Sequence, residues 1–177
     1  MWKSIALAIV VLVVGLLAYA TTRPATFEVQ RSVVIRAPAE KIYPLIEDFH
    51  RWTVWSPWEK LDPLLHRAYS GAPSGPGAAY AWEGNAKVGR GRMEITAAQP
   101  PSRLTIRLDF LKPIEGHDTA VFVLRPQGDE TEVTWTMRGP SPYIAKLMGI
   151  FVSMDSLVGK DFEAGLANLK AAAEQPR

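Results

Sequence analysis

The chain has 177 residues, 47% hydrophobic and 21% charged, with a formal net charge of +2 and no cysteine. That length suits one domain with a sizeable core, and the composition excludes a disordered chain. Lys and Arg are interspersed with Asp and Glu, which argues against a nucleic-acid partner despite a pI near 8.9; the lack of cysteine excludes disulfides, thiol nucleophiles and Cys-ligated metals.

After "MWKS" comes "IALAIVVLVVGLLAYA", Ile5 to Ala20, without a charged residue. As a helix it spans roughly 24 Å, slightly less than the ~30 Å of a bilayer's hydrocarbon core. Trp2 and Tyr19 bracket it as interfacial aromatics do, and Lys3 and Arg23 can snorkel. The run predicts an uncleaved membrane anchor over residues 1–22, with the domain outside the cytoplasm. "AYA" at Ala18 to Ala20 also fits a small-x-small cleavage site, so a signal peptide and an exported soluble domain are the alternative. Residues 23–26 read as a linker stiffened by Pro24, and residues 27–174 as the domain proper.

The domain opens with "FEVQRSVVIRAP", in which Phe27, Val29, Arg31, Val33 and Ile35 alternate with the other positions as in a strand with one mostly apolar face. "APAEKIYPLIEDF" predicts a helix with Pro38 in its first turn and Ile42, Leu45 and Ile46 on one face, short or kinked because of Pro44. "HRWTVWSPWEKLDP" then places Trp52, Trp55 and Trp58 three residues apart and predicts a second short helix ending at Ser56-Pro57. From Leu65 to Gly139 short alternating runs are divided by turn residues, which predicts an antiparallel meander of about six strands with one solvated face. The chain closes with a helical stripe, Leu147, Phe151, Met154, Val158, Phe162, Leu166 and Leu169, capped by Ser141-Pro142. A single helix over residues 142–173 would be roughly 48 Å long, more than the domain needs, so a break is expected between Gly149 and Ser156. This order predicts an α+β fold in which a bent sheet is covered by the terminal helix, with a space left where the two surfaces diverge.

"RSVVIRAPAEKIYPLIEDFHRWTVWSPWEKLDP", "YAWEGNAKVGRGRMEI" and "VGKDFEAGLANLK" resemble the polyketide cyclase/dehydrase and lipid-transport-like family, part of the START-like, Bet v 1-like (SRPBCC) superfamily. The resemblance runs from Phe27 to Glu174. It implies a helix-grip fold with a deep apolar cavity between sheet and C-terminal helix, binding a hydrophobic small molecule or lipid as a monomer. It implies no single activity: the alternatives are a cyclase- or dehydratase-like enzyme using the same cavity and a protein-interaction module of the co-chaperone type.

Candidate cavity residues are Trp55, Trp58, Tyr80, Trp82, Met93, Phe110, Trp135, Met137, Met148, Phe151 and Asp155. Tryptophan combines a large apolar face with an N–H handle, and methionine adapts to varied shapes, yet both also serve as ordinary core. Asp155 invites two readings, a buried acid orienting a ligand or a cap or salt bridge. Asp109, Glu94 and Asp118 are expected at solvated positions. His50, His66 and His117 lie far apart, and no catalytic motif, metal site or cofactor loop is recognised; "GRGR" at Gly89 to Arg92 reads as a bulge that bends the sheet.

Overall fold

The computed structural model describes residues 2–175; Met1, the first residue of the expected anchor, lies outside them. Helix α1 (Trp2–Thr22) is long and apolar enough to cross a membrane, a property that anchors and signal sequences share. Pro24 follows, and β1 (Thr26–Ile35) leads into α2 (Ala39–Glu47). Pro38 sits just before α2 as its N-cap residue, one position earlier than expected. Pro44 is tolerated within this short helix. Its buried side is Ile42, Tyr43 and Ile46, with Leu45 half-buried, because the Tyr43 phenol reaches inward to donate to the Arg103 carbonyl at 3.1 Å.

The tryptophan segment is three short turns rather than one helix: a 3-10 turn (Phe49–Arg51), α3 (Trp52–Trp55) and a second 3-10 turn (Pro57–Lys60). Pro57 cannot donate to the α3 ladder, so the chain changes direction at Ser56. Trp58 thereby lines the cavity, whereas Trp55 is buried in the core.

Six strands follow: β2 (His66–Gly71), β3 (Ala78–Glu83), β4 (Arg90–Gln99), β5 (Arg103–Lys112), β6 (Gly116–Gln127) and β7 (Glu130–Pro140). They form an antiparallel meander that β1 closes by pairing with β7, giving the order β1-β7-β6-β5-β4-β3-β2. Register shifts between Arg90 and Gly91 and between Ile95 and Ala97 bend β4 against β5, as the "GRGR" pattern implied. The bend lets inward residues of distant strands share one core with the last helix: Tyr80, Ile95, Leu104 and Val133 belong to the same cluster as Phe162, Leu166 and Leu169.

The C-terminal stripe is indeed broken. Helix α4 (Tyr143–Met148) and α5 (Met154–Glu174) are separate, and the Ser153 hydroxyl restarts the second by accepting from the Ser156 N–H at 3.1 Å. Helix α5 lies across β1 and meets α2, α3 and the second 3-10 turn. Close approach needs small residues: a Cβ on Gly165 would lie 3.0 Å from the Trp135 ring and 3.1 Å from Pro57.

Gly91 has the same role within the sheet, since a Cβ there would meet the Trp82 ring at 2.4 Å and the Asp109 carbonyl oxygen at 2.8 Å. Gly91→Ala is therefore expected to destabilise the chain by about 1–3 kcal/mol, the usual cost of overpacking. Denaturant unfolding measures it, and an unchanged midpoint would mean that Trp82 moves aside freely.

Candidate ligand cavity

A cavity of about 340 Å³ lies between the inner face of the sheet, the first half of α5 and the second 3-10 turn. Strand alternation supplies most of its wall. Tyr80 and Trp82 project from β3, Met93 from β4, Phe110 from β5, and Trp135 and Met137 from β7, while Trp58 closes one side. The aromatic rings brace one another. Trp135 stacks on Phe162 at 4.0 Å between centroids and on Phe122 at 4.9 Å, and Trp58 meets both Trp135 and Phe162 edge-on. Trp82 lies parallel to Tyr80 and edge-on to Phe110.

Four expected residues lie elsewhere. Trp55 is fully buried, its N–H donating to the Leu45 carbonyl at 2.8 Å, and it packs in the core beside Phe122 instead of facing the cavity. Trp52 makes the equivalent bond to the Ile46 carbonyl at 2.9 Å and borders the cavity from the core side. Met148 and Phe151 are exposed, because the break after α4 takes them off the axis of α5 and out of its inward stripe. Asp155 is exposed too. Its carboxylate takes a two-pronged bond from Arg31, at 2.7 and 3.1 Å, which holds its pKa below the usual carboxylate range. The buried-acid reading of Asp155 is thus overturned: Arg31, on the β1 face expected to be apolar, draws it to the edge of the helix and also binds Glu163 at 2.7 Å.

The buried acid at the cavity wall is Glu59, which follows Trp58 in the 3-10 turn; the partly exposed Asp161 of α5 also lines the cavity. The Glu59 side chain is only 5% exposed. One carboxylate oxygen accepts from Arg67 Nε at 2.6 Å and the other from the Tyr80 hydroxyl at 2.7 Å. Arg67 also donates to the carbonyls of Leu65 and Glu59, so its guanidinium is held in place. Burial, and then the Glu59 hydrogen bond, push the Tyr80 phenol far above its ordinary range, so it stays neutral at physiological pH. Each carboxylate oxygen retains a further acceptor position. The group can take a hydrogen bond from a ligand hydroxyl, or hold a proton-bearing group against a mostly apolar wall.

Two other polar groups were not foreseen. Asp118, expected in solvent, faces inward on β6 and is 7% exposed, in space left by the missing side chain of Gly139. It has no hydrogen-bond partner among the described residues, and burial pushes its pKa up from 3.8 to about 6. The Trp135 N–H is buried without an acceptor among the described residues. By contrast the three histidines are exposed: His50 pairs with Asp48 and stacks on Tyr69, and His117 pairs with Asp109. No cluster of metal-ligating side chains exists among the described residues.

A bent antiparallel sheet gripping one long C-terminal helix over an internal cavity defines the helix-grip class of α+β proteins. The chain belongs to the polyketide cyclase/dehydrase and lipid transport family, whose model matches residues 26–174. Solved structures agree in fold. A Thermobifida fusca protein determined by solution NMR is 23% identical, with a TM-score of 0.61 over 82% of this chain and 92% of that one. The di-domain ARO/CYC BexL from the BE-7585A biosynthetic pathway is 19% identical, with a TM-score of 0.60 over 89% of this chain and 53% of that one. The Aha1 dimer from Colwellia psychrerythraea is 16% identical, with a TM-score of 0.58 over 84% and 96%. No curated protein sequence matches the chain.

The two roles of the tryptophans lead to different mutational costs. Trp135→Ala is expected to lose the ~3–5 kcal/mol typical of a packed aromatic, since Trp135 is buried and stacked on both Phe122 and Phe162, and Trp58→Ala less, since Trp58 is only partly buried. Equilibrium unfolding of both variants tests this, and a larger loss at Trp58 would make it the structural plug.

Asp118 generates a pH effect of definite sign. A folded-state pKa raised above the ordinary value means that the native state binds this proton more tightly, so ionisation opposes folding. The penalty is absent below about pH 4, grows as pH rises through about 6 and is constant above. Two pKa units correspond to about 3 kcal/mol. Asp118→Asn is expected to raise stability by about 2–3 kcal/mol at pH 8 and to change it little at pH 4. Parallel stability–pH curves for the two proteins would refute it.

Proposed function

We propose that the chain is a membrane-anchored binding domain for a hydrophobic small molecule or lipid, monomeric and held to the bilayer by residues 5–20. The observation that carries this reading is the cavity itself: about 340 Å³, walled by aromatic and methionine side chains, with one buried, oriented carboxylate. Sites that bind small molecules have this make-up, a concave apolar wall with a few placed polar groups. A ligand hiding ~300 Å² of apolar surface gains about 7 kcal/mol before ordering costs, which limits affinity to the micromolar range unless Glu59 adds a directed bond. Family membership is compatible with binding without chemistry. Tethering concentrates the domain where apolar ligands partition.

A second reading, a cyclase- or dehydratase-like enzyme, is favoured by Glu59 and Tyr80. A buried carboxylate beside a neutral phenol in a mostly apolar cavity is a usable proton acceptor and donor pair. Under either reading the cavity is occupied by an apolar ligand.

Native mass spectrometry of the full chain released from nanodiscs tests the proposal. The expected spectrum shows the intact chain with an apolar adduct of defined mass. Occupancy should fall in Ala120→Leu, which narrows the cavity, while circular dichroism stays unchanged. An empty wild-type chain would count against ligand binding, and a mature form starting at Thr21 against the anchor. Turnover of a trapped ligand that ceases in Glu59→Gln would favour the enzyme.

A further inference from the structure

The sheet register puts several segments at one end of the molecule. Thr26 pairs with Pro140, Thr119 with Arg138, Gly116 with Phe110, Lys112 with Arg90, and Arg90 with Glu83. The start of β1, directly after α1, therefore lies at the same end as the β3–β4 and β5–β6 turns. Those two turns line the cavity through Val88 and through Lys112 and Pro113. Leu157, in the second turn of α5, lines it from the other side and is nevertheless exposed. The cavity thus opens at the end of the sheet from which α1 departs.

Helix α4 connects that opening to α1. The Tyr143 hydroxyl donates to the Leu17 carbonyl at 2.9 Å, and Arg23 donates to the Gly149 carbonyl at 3.2 Å. Leu17 lies inside the apolar run of α1, about 4.5 Å along the axis from Ala20. If α1 spans a bilayer, α4 must sit at the bilayer's edge. The side chains there suit that depth: Ile144, Met148, Phe151 and Val152 are exposed, Phe151 at 72%, and Ile114 on the β5–β6 turn is 64% exposed. Water-facing apolar groups in such number mark a contact surface. Tyr143 and Lys146 supply the aromatic and snorkelling groups usual at the interface.

We propose that the surface formed by α4, the α4–α5 link and the β5–β6 turn rests in the headgroup layer, so that the cavity mouth opens onto the bilayer and takes up its ligand sideways from the membrane. The ligand class is then an amphiphile resident in the bilayer. Such a molecule slides between Leu157 and the β5–β6 turn without its apolar part crossing water. This inference rests on the reading that α1 remains in the membrane.

Because the chain has no cysteine, single-site labelling separates the two claims. Full-length Val11→Cys, Phe151→Cys, Ile114→Cys and Asp129→Cys variants, each carrying an NBD fluorophore, are reconstituted in phosphatidylcholine vesicles. Asp129 is an exposed residue on the β6–β7 turn, at the opposite end of the sheet. Nitroxide lipids labelled near the headgroup should quench and blue-shift emission at positions 151 and 114 and leave position 129 unaffected; nitroxides deep in the acyl chains should quench position 11. Quenching at position 11, with positions 151 and 114 as wet as 129, overturns the proposal and leaves the anchor standing. Loss of quenching at position 11 as well overturns the anchor and this inference together.

Discussion

The packing of one tryptophan governs the interior. Trp135, on β7 beside the edge strand β1, lies between Phe122 of the sheet and Phe162 of α5, stacked on both. Stacked or edge-on aromatic pairs contribute about 0.5–1.5 kcal/mol each beyond their buried area, and Trp135 also meets Trp52, Trp55 and Trp58 edge-on. The sandwich clamps α5 to the sheet at its middle, and Gly165 lets the helix approach closely enough. An N–H buried without an acceptor costs about 1–3 kcal/mol, which the surrounding contacts offset. Toward the C-terminal end of α5, Leu166 and Leu169 continue the close packing. Toward its N-terminal end the helix and the bent sheet diverge, and Val158 and Leu157 line the cavity, Val158 still packed against the core and Leu157 exposed.

Polar groups inside this interior fall into two kinds. Glu59 is desolvated, but Arg67 and Tyr80 satisfy both its oxygens, so it is a fixed feature of the wall. Asp118 is desolvated with no such partner, and its raised pKa expresses that cost. Neutral low-dielectric surroundings make the first arrangement rigid and the second sensitive to pH. Of these two acids, Glu59 lines the cavity and Asp118 does not.

The break between α4 and α5 links the cavity to the apolar N-terminal helix α1. A continuous helix would have carried Met148 and Phe151 along the stripe that contains Phe162. Instead α4 is free to pack on α1 and to turn apolar side chains outward. The same five-residue interruption opens the rim of the cavity at Leu157. The apolar helix α1, the exposed apolar surface and the opening thus share one end of the fold.

Hydrophobic periodicity carried the architecture. Alternation at Leu104 and Ile106, or at Val133, Trp135 and Met137, identifies strands and their inward faces because the side-chain period of a strand is two, and the 3.6-residue stripe from Phe162 to Leu169 identifies the buried face of α5. Those local rules also name the cavity residues that project from strands, Tyr80, Trp82, Met93, Phe110, Trp135 and Met137. They fail where the chain has no period. In the turns around Pro57 nothing in "WTVWSPWEK" distinguishes Trp55, which enters the core, from Trp58 and Glu59, which face the cavity. Across the Gly149–Ser153 break the helical phase is lost, so Met148 and Phe151 do not share the inward face of α5, while Asp155, inside α5, is held at its edge by Arg31 of β1. Whether an inward carboxylate meets a cation, as Glu59 meets Arg67, or only a glycine's empty side, as Asp118 does, depends on which strands and turns become neighbours. That is a property of tertiary contact, since the partners are distant in the chain and no local energy term couples them.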